Sequence, residues 1–559
     1  MRKLAWSMVL SVVMSTTVLV ACHAAEDDPA GQADELKDPV RRQNAIRNLQ
    51  KIWSKALQDG NNDRSSAGVQ AVLDATVEKI AAAYVENRMD NQNGLAMLDL
   101  LKEMRDARAI PALKEALDWR AEVNEEHAIR AAQTIAVLDV PADKKDELAA
   151  ALGDSIEKVR QARPIDNRMR VEMIRALGSL ETRAATPILT KIATAQVEEQ
   201  NFLINRLAAQ QLGQLADPAA VEPMIQALFL FAPNNPGMRM NDVAAETLVR
   251  IGRPSLEPLL ALLRGENTQA NAIAEAYIAA VRQRDEQAAS QMSVQQVVGS
   301  EATFTLGALG FPEAFDALLA ETAAEDTFRK VNGSIALVRL NLSEAQITQV
   351  RDTLRTVYNG TTNDFEGVAF KAQLIAAMRS LYDEGFLPFF LEQVSNAELH
   401  PQVRLEAVNA YALLASKTEM QALDQWLQRN TEDSYYENFR TTVAKPSEVA
   451  NECDLDLACY LGKMGDADKD VVRKAAFMIG RLGQGNADAI ARLTEKLGHT
   501  DIEVRLAALN ALDRIATAGA PDAVAKIEEL RTIEEGRAIW NQFSREALPV
   551  VARLLARAS

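Results

Sequence analysis

Hydrophobic residues recur along this chain at helical spacing, and the recurrence itself repeats. Residues 169–180 read MRVEMIRALGSL, 204–215 read INRLAAQQLGQL, 403–414 read VRLEAVNAYALL and 504–515 read VRLAALNALDRI. Apolar or small side chains fall at offsets 0, 4, 8 and 11 of each segment, which places them on one face of an α-helix. Met169, Met173, Leu177 and Leu180 are one such set; Val504, Ala508, Leu512 and Ile515 are another.

The fourth apolar position is often followed by a loop, as in Ala216-Asp217-Pro218 and Gly310-Phe311-Pro312. A second apolar helix then begins, carrying Val221, Met224, Ile225 and Leu228, or Leu256, Leu259, Leu260 and Leu263. Pro111, Pro187, Pro223 and Pro258 take equivalent places in these second helices. A first-turn proline is tolerated there because its missing N–H has no helical partner to lose. The third apolar anchor falls at Leu177, Leu212 and Leu248, steps of 35 and 36 residues, and later at Ile479 and Leu512, a step of 33. One antiparallel pair cannot bury its apolar face alone, but stacking on the next pair does so. The predicted fold is therefore all-α: an α-solenoid of about ten to twelve helix pairs over residues 38–530, with a C-terminal capping helix region at 531–559. The pattern is irregular near 60–95, 265–298 and 420–465. Long alternating β-branched runs do not occur, so strands are not expected. About eleven layers at roughly 10 Å each predict an arc on the order of 100 Å along its axis.

These residues resemble the HEAT-repeat family. Asp501-Ile502-Glu503-Val504-Arg505 with Ala508 and Leu512 matches its first-helix pattern closely. Pro401-Gln402-Val403-Arg404 with Ala407 is a good copy, and Asp38 with Arg42, Ala45 and Leu49 a weaker one. The resemblance implies a ladder of Asp and Arg between successive layers. Physically, Asp suits the N-cap and Arg can pair with a carboxylate of the adjoining turn. Among enzymes similar in this repeat, deoxyhypusine hydroxylases carry paired His-Glu iron ligands, yet none of His23, His127, His400 and His499 is followed by Glu. HEAT-like DNA glycosylases use a basic groove, and no pigment-handling motif of the phycobilin lyases is matched.

The N-terminus reads as an address. Arg2 and Lys3 precede an apolar run from Leu4 to about Val20 with no acid, short for a bilayer span and typical of a signal sequence. It ends Leu19-Val20-Ala21-Cys22, which resembles the bacterial lipobox. The resemblance implies that residues 1–21 are a lipoprotein signal peptide, and that Cys22 is the lipidated first residue of an exported, membrane-anchored chain. An ordinary secretory signal containing a cysteine is the alternative. His23 rather than Asp follows Cys22, which in a Gram-negative source favours the outer membrane, facing the periplasm or the cell surface. Residues 22–37 are polar and acidic with Gly and Pro, and read as a flexible acidic tether.

Composition narrows the chemistry. The 559 residues are 48% hydrophobic and 25% charged, too apolar for a disordered chain. Sixty-one Lys and Arg against 78 Asp and Glu give a net charge of −17. That balance argues against nucleic acid as a partner, because phosphate neutralisation needs a basic face. Three cysteines and four histidines leave little for a metal or redox enzyme. Cys453 and Cys459 are a disulfide candidate in an exported chain, with two unrelated buried thiols as the alternative; no His or third Cys lies near enough in sequence to make them metal ligands. Asp59-Gly60-Asn61-Asn62-Asp63 starts like a calcium loop, but its sixth position is Arg64 and its twelfth Gln70, so a plain polar turn is expected. No nucleophile elbow, phosphate loop or zinc-binding His-Glu-x-x-His is present.

Two aromatic stretches remain. Phe389 and Phe390, in Phe386-Leu387-Pro388-Phe389-Phe390, are expected in the core of a second helix. Tyr435 and Tyr436, bordered by Glu432, Asp433 and Glu437, are candidates for partner binding. The functional expectation is a scaffold without catalytic residues, metal or cofactor. It would be held to the membrane through Cys22 and would bind an unknown protein partner along its concave face. Two alternatives stay open. A deep cleft holding clustered carboxylates or arginines would favour an enzyme or small-ligand carrier. Several exposed aromatics on one face would favour a polysaccharide binder.

Overall fold

A computed structural model of the chain describes residues 24–163, 167–195, 201–534 and 538–558. Cys22 and the segment read as a signal lie outside the described residues. The described part is built of helices joined by short turns, with one small hairpin. It divides into two compact units, one ending at Val159 and one starting at Arg160, where the sequence pattern had read as a single continuous stack. The boundary falls inside the helix Ala142–Ala162.

The helix Ile502–Ile515 shows how a repeat forms. Asp501 Oδ1 accepts from the backbone N–H of Glu503 at 2.9 Å and of Val504 at 3.3 Å, satisfying donors that have no partner at a helix start. Val504, Ala508, Leu512 and Ile515 are fully buried, each large side chain contributing about 1.5–3 kcal/mol. Val403, Ala407, Tyr411 and Leu414 repeat the stripe. The four second-helix prolines lie in the first turns of Ile110–Leu117, Ala185–Ala193, Val221–Ala227 and Leu256–Leu263, as their chemistry requires.

Successive layers are joined by buried arginines. Arg404 donates to the Val394 carbonyl at 2.8 Å, in the last turn of Leu387–Ser395, and meets Asp433 of the next layer at 2.6 Å. Arg42 likewise donates to the Leu36 carbonyl at 2.8 Å and pairs with Asp90 at 2.9 Å, the N-cap of Asn91–Met104. Arg505 pairs with Glu534 at 2.9 Å. Two of these guanidinium groups thus cap the negative end of one helix while neutralising an acid that opens another. Burial alone would raise the Asp433 carboxyl, but Arg404 holds it below the usual carboxylate value. At the equivalent place in Phe202–Leu215 the ladder changes chemistry: Asn205 Nδ2 donates to the carbonyls of Ile192, Ala193 and Ala195.

Three expectations need correction. The acidic stretch read as a flexible tether holds the helix Pro29–Glu35, with Gln32, Ala33 and Leu36 buried against the following helices. Its polar composition hid three inward positions. Residue 531, read as the start of the capping region, falls inside Pro521–Glu534 rather than at a boundary, while the irregular repeats hold the helices Ala67–Glu86, Thr268–Arg282 and Tyr436–Cys453. A two-stranded antiparallel hairpin pairs Phe231–Ala232 with Asn235–Arg239; strands this short carry no alternating signature. The second unit closes on itself. Its last helix, Ala538–Ala558, packs not only on Ile502–Ile515 and Pro521–Glu534 but also on Asn241–Ile251 and Val294–Leu309. Ion pairs tie this return: Arg250 to Glu528 at 3.2 Å and Arg339 to Glu546 at 3.2 Å. Small residues permit the tight winding. A methyl group on Gly480 would sit 2.4 Å from the Tyr382 ring.

Candidate functional site

Because the second unit closes on itself, the inner faces of its first helices enclose a cleft of about 900 Å³, within the range of binding pockets. Four helices supply its walls in register. Leu203, Arg206 and Gln210 come from Phe202–Leu215; Asp242, Glu246 and Val249 from Asn241–Ile251; Glu301, Phe304 and Ala308 from Val294–Leu309; Asn332 and Ile335 from Thr327–Leu337. Spacings of three and four put each set on one helical face. The hairpin adds Gly237, Met238 and Arg239, and the two last helices add Arg531 and Pro549.

Two kinds of side chain meet there. Leu203, Met238 and Phe304 are 63%, 40% and 42% exposed, so apolar surface faces solvent in one place. Around it stand paired charges. Arg206 grips Asp242 through two bonds of 2.7 Å. Arg239 lies over the Tyr277 ring and meets Glu301 at 2.8 Å, while Asn241 Nδ2 donates to the same carboxylate at 3.2 Å. Arg250 bonds Glu246 at 3.0 Å. Arg339 lies over the Phe304 ring, with 5.6 Å from guanidinium carbon to ring centre. Burial pushes the carboxyls of Glu246 and Glu301 above their ordinary value, opposed by Arg250 and Arg239 respectively. The concave side is therefore a cleft with clustered arginines and carboxylates rather than an even groove.

Single residues carry a signal that the repeat analysis passed over. Val298, Ala302, Leu306 and Leu309 form the buried stripe of their helix, which makes Phe304 the residue at offset 6. That offset holds Arg175, Gln210, Asn409 and Asn510 in the four aligned repeats. An aromatic where other repeats are polar marks a face with a second task. Leu203, one residue ahead of the anchor Ile204, is similarly off the stripe.

The residues singled out from sequence lie elsewhere. Cys453 and Cys459 come together with Cα atoms 5.3 Å apart, at the end of Tyr436–Cys453 and the start of Leu457–Lys463; the Cα separation suits a disulfide. Tyr435 and Tyr436 are half-buried at a helix start, and the Tyr435 ring packs on Phe439 of its own helix with centres 6.4 Å apart. Phe386, Phe389 and Phe390 are buried in the core as expected. In the turn after Asp59, Arg64 reaches across to the carbonyls of Met104 at 2.9 Å and Glu103 at 2.6 Å and lies over the Trp53 ring, a structural clamp.

Residues 461–556 match a family model described as HEAT repeats, and residues 205–229 match the PBS lyase HEAT-like repeat. The chain carries HEAT repeats. The second match covers one wall of the cleft, including Arg206 and Gln210, and the first covers the helices that close it. No curated protein matches the sequence. Among solved structures, an engineered protein is 15% identical over 85% of this chain and 98% of its own, with a TM-score of 0.23. Kap121p bound to Ste12p is 12% identical over 93% of this chain and 67% of its own, with a TM-score of 0.35. Importin beta is 12% identical over 94% of this chain and 84% of its own, with a TM-score of 0.26.

Proposed function

We propose that this HEAT-repeat chain is an exported, lipid-anchored scaffold of the bacterial cell envelope whose second unit receives a segment of a partner protein. The observation that carries the reading is the convergence of exposed Leu203, Met238 and Phe304 on one cleft rimmed by ion pairs. Apolar anchors at the centre with polar groups around them are the anatomy of a protein interface. Asp242, Glu246 and Glu301 are each engaged by a guanidinium group, which suits recognition better than proton transfer. The anchor rests on the sequence at Leu19-Val20-Ala21-Cys22, since several acyl chains on one cysteine hold a protein stably.

Affinity capture from the envelope fraction tests the cleft. Wild-type protein should retain a stoichiometric partner that the L203D/F304D variant loses with its helical content intact. Equal capture by both, or capture of none, overturns the reading. A second reading, a small-ligand carrier, is favoured by the cleft's volume and its clustered arginines and carboxylates; native mass spectrometry would show the ligand as a bound mass that the same variant loses. For the anchor, Cys22→Ala should release the protein from the membrane fraction in high salt, and retention there would contradict lipidation.

A further inference from the structure

The first unit presents a second surface, and its place in the chain points to what it meets. Ala24 is fixed to this unit: its N–H donates to Glu35 Oε1 at 3.0 Å, and its carbonyl accepts from Gln32 Nε2 at 3.2 Å. Gln32 Oε1 in turn accepts from Asn48 Nδ2 at 3.1 Å. The point where the described chain begins is therefore bound to the helix Arg42–Asp59 through one bridging side chain. Cys22 lies two residues upstream of Ala24, and two extended residues reach at most about 7 Å. An acylated Cys22 would leave no slack, and the corner of the first unit around Asn48 would stand at the level of the lipid headgroups.

That corner is basic. Arg47, Lys51 and Lys55 follow one another at steps of four, which aligns them along the helix, and all three are exposed. With Gln50, Ser54 and Gln58 they line one surface. At 100° per residue they lie within about 100° of Asn48 around the helix axis. No acidic residue occurs from 39 to 58. Among the described residues, no ion pair or side-chain hydrogen bond engages any of the three cations. Elsewhere the chain pairs its cations widely and carries a net charge of −17. A stretch of twenty residues with cations alone departs from that pattern, at the one place where the chain leads towards Cys22. A solvated helix face would need neither the missing acids nor this location.

We propose that the Arg47, Lys51 and Lys55 face rests on the phosphate headgroups of an anionic lipid surface. The inference builds on the anchored reading and adds an orientation to it: the first unit lies against the bilayer on its basic helix, while the acidic remainder is repelled from the same surface. Acyl chains supply attachment, and the three cations supply direction. Glu26, Asp27 and Asp28 lie between Ala24 and the first helix and oppose the attraction, which keeps the electrostatic contact weak and sensitive to salt.

Vesicle co-sedimentation of the unlipidated chain starting at His23, which keeps every described residue, tests this. Mixed phosphatidylglycerol and phosphatidylcholine vesicles should bind it at low salt, phosphatidylcholine alone should not, and added salt should release it. The R47E/K51E/K55E variant, checked for unchanged helical content, should lose roughly two orders of magnitude in affinity for the anionic vesicles. No binding to anionic vesicles, or equal binding by the variant, overturns the proposal. The mass of the N-terminal peptide from membrane-derived protein reads lipidation separately. An acylated Cys22 together with no vesicle preference defeats only the basic face, and an unmodified cysteine together with vesicle binding defeats only the anchor.

Discussion

Arg553 and Asp513 lie forty positions apart and form a buried ion pair of 2.6 Å. The same guanidinium group donates to the carbonyl of Ala308 at 2.8 Å, 245 residues earlier in the chain. One side chain of the last helix therefore binds both the neighbouring repeat and the far side of the second unit.

Replacing Asp513 by Ala should loosen this closure. It leaves Arg553 without its counter-ion and removes the bond from Arg557 at 3.0 Å, a change that costs about 3–5 kcal/mol when a buried pair is broken from one side. Urea unfolding of the second unit should shift accordingly. Hydrogen exchange should speed first in Ala538–Ala558 and Val294–Leu309, and unchanged exchange in the latter would argue against the tie.

Arg404→Ala should weaken the interlayer ladder by about 3 kcal/mol, because it leaves Asp433 unpaired and the Val394 carbonyl without its donor. Arg404→Lys should recover only part of the loss, since an ammonium is a point charge and cannot span two acceptors as a planar fork does. Denaturant midpoints of the two variants order the outcomes; equality of Lys and wild type would remove the bridging role.

His127 makes the first unit sensitive to acid. It is buried, with Nδ1 2.8 Å from the Tyr84 hydroxyl, and burial, with the nearby charge of Arg88, holds its pKa below the ordinary histidine value. The unfolded chain thus binds a proton more readily than the folded one. This contribution to stability is complete above the unfolded value of about 6.5 and declines as pH falls below it. A His127→Gln variant should show a flatter stability profile between about pH 6.5 and 5; an identical slope would place the acid sensitivity elsewhere.

Cys453 and Cys459 should resist alkylation in exported protein and accept two labels after reduction. The loop they close is short, so the C453S/C459S variant should lose only about 2 kcal/mol and remain folded. Free thiols in native protein would exclude the bridge.

The repeat unit was legible because its physics is local. Val504, Ala508, Leu512 and Ile515 announce a buried stripe at helical spacing, Asp501 announces the cap, and Pro223 and Pro258 announce where second helices start. The helix Pro29–Glu35 was not legible, because acidic, Pro- and Gly-containing segments resemble linkers until Leu36 and Gln32 find their pockets. The hairpin at Phe231–Arg239 is too short for a period to emerge. The cleft was hidden for a different reason. Phe304 stands out only once repeats are aligned by offset, and its meeting with Leu203, Met238 and Pro549 depends on the closing helix, which no local pattern encodes.

That dependence has a consequence for how the protein comes into being. Arg531 and Pro549, which complete the cleft wall, follow Leu203 on the opposite wall by 328 and 346 positions. Helices Phe202–Leu215 to Thr327–Leu337 can form while later repeats are still being synthesised, but their inner face stays open until Ala538–Ala558 arrives. A chain cut short near residue 530 would keep most of its repeats and lack the enclosed site, so binding competence reports on the arrival of Ala538–Ala558.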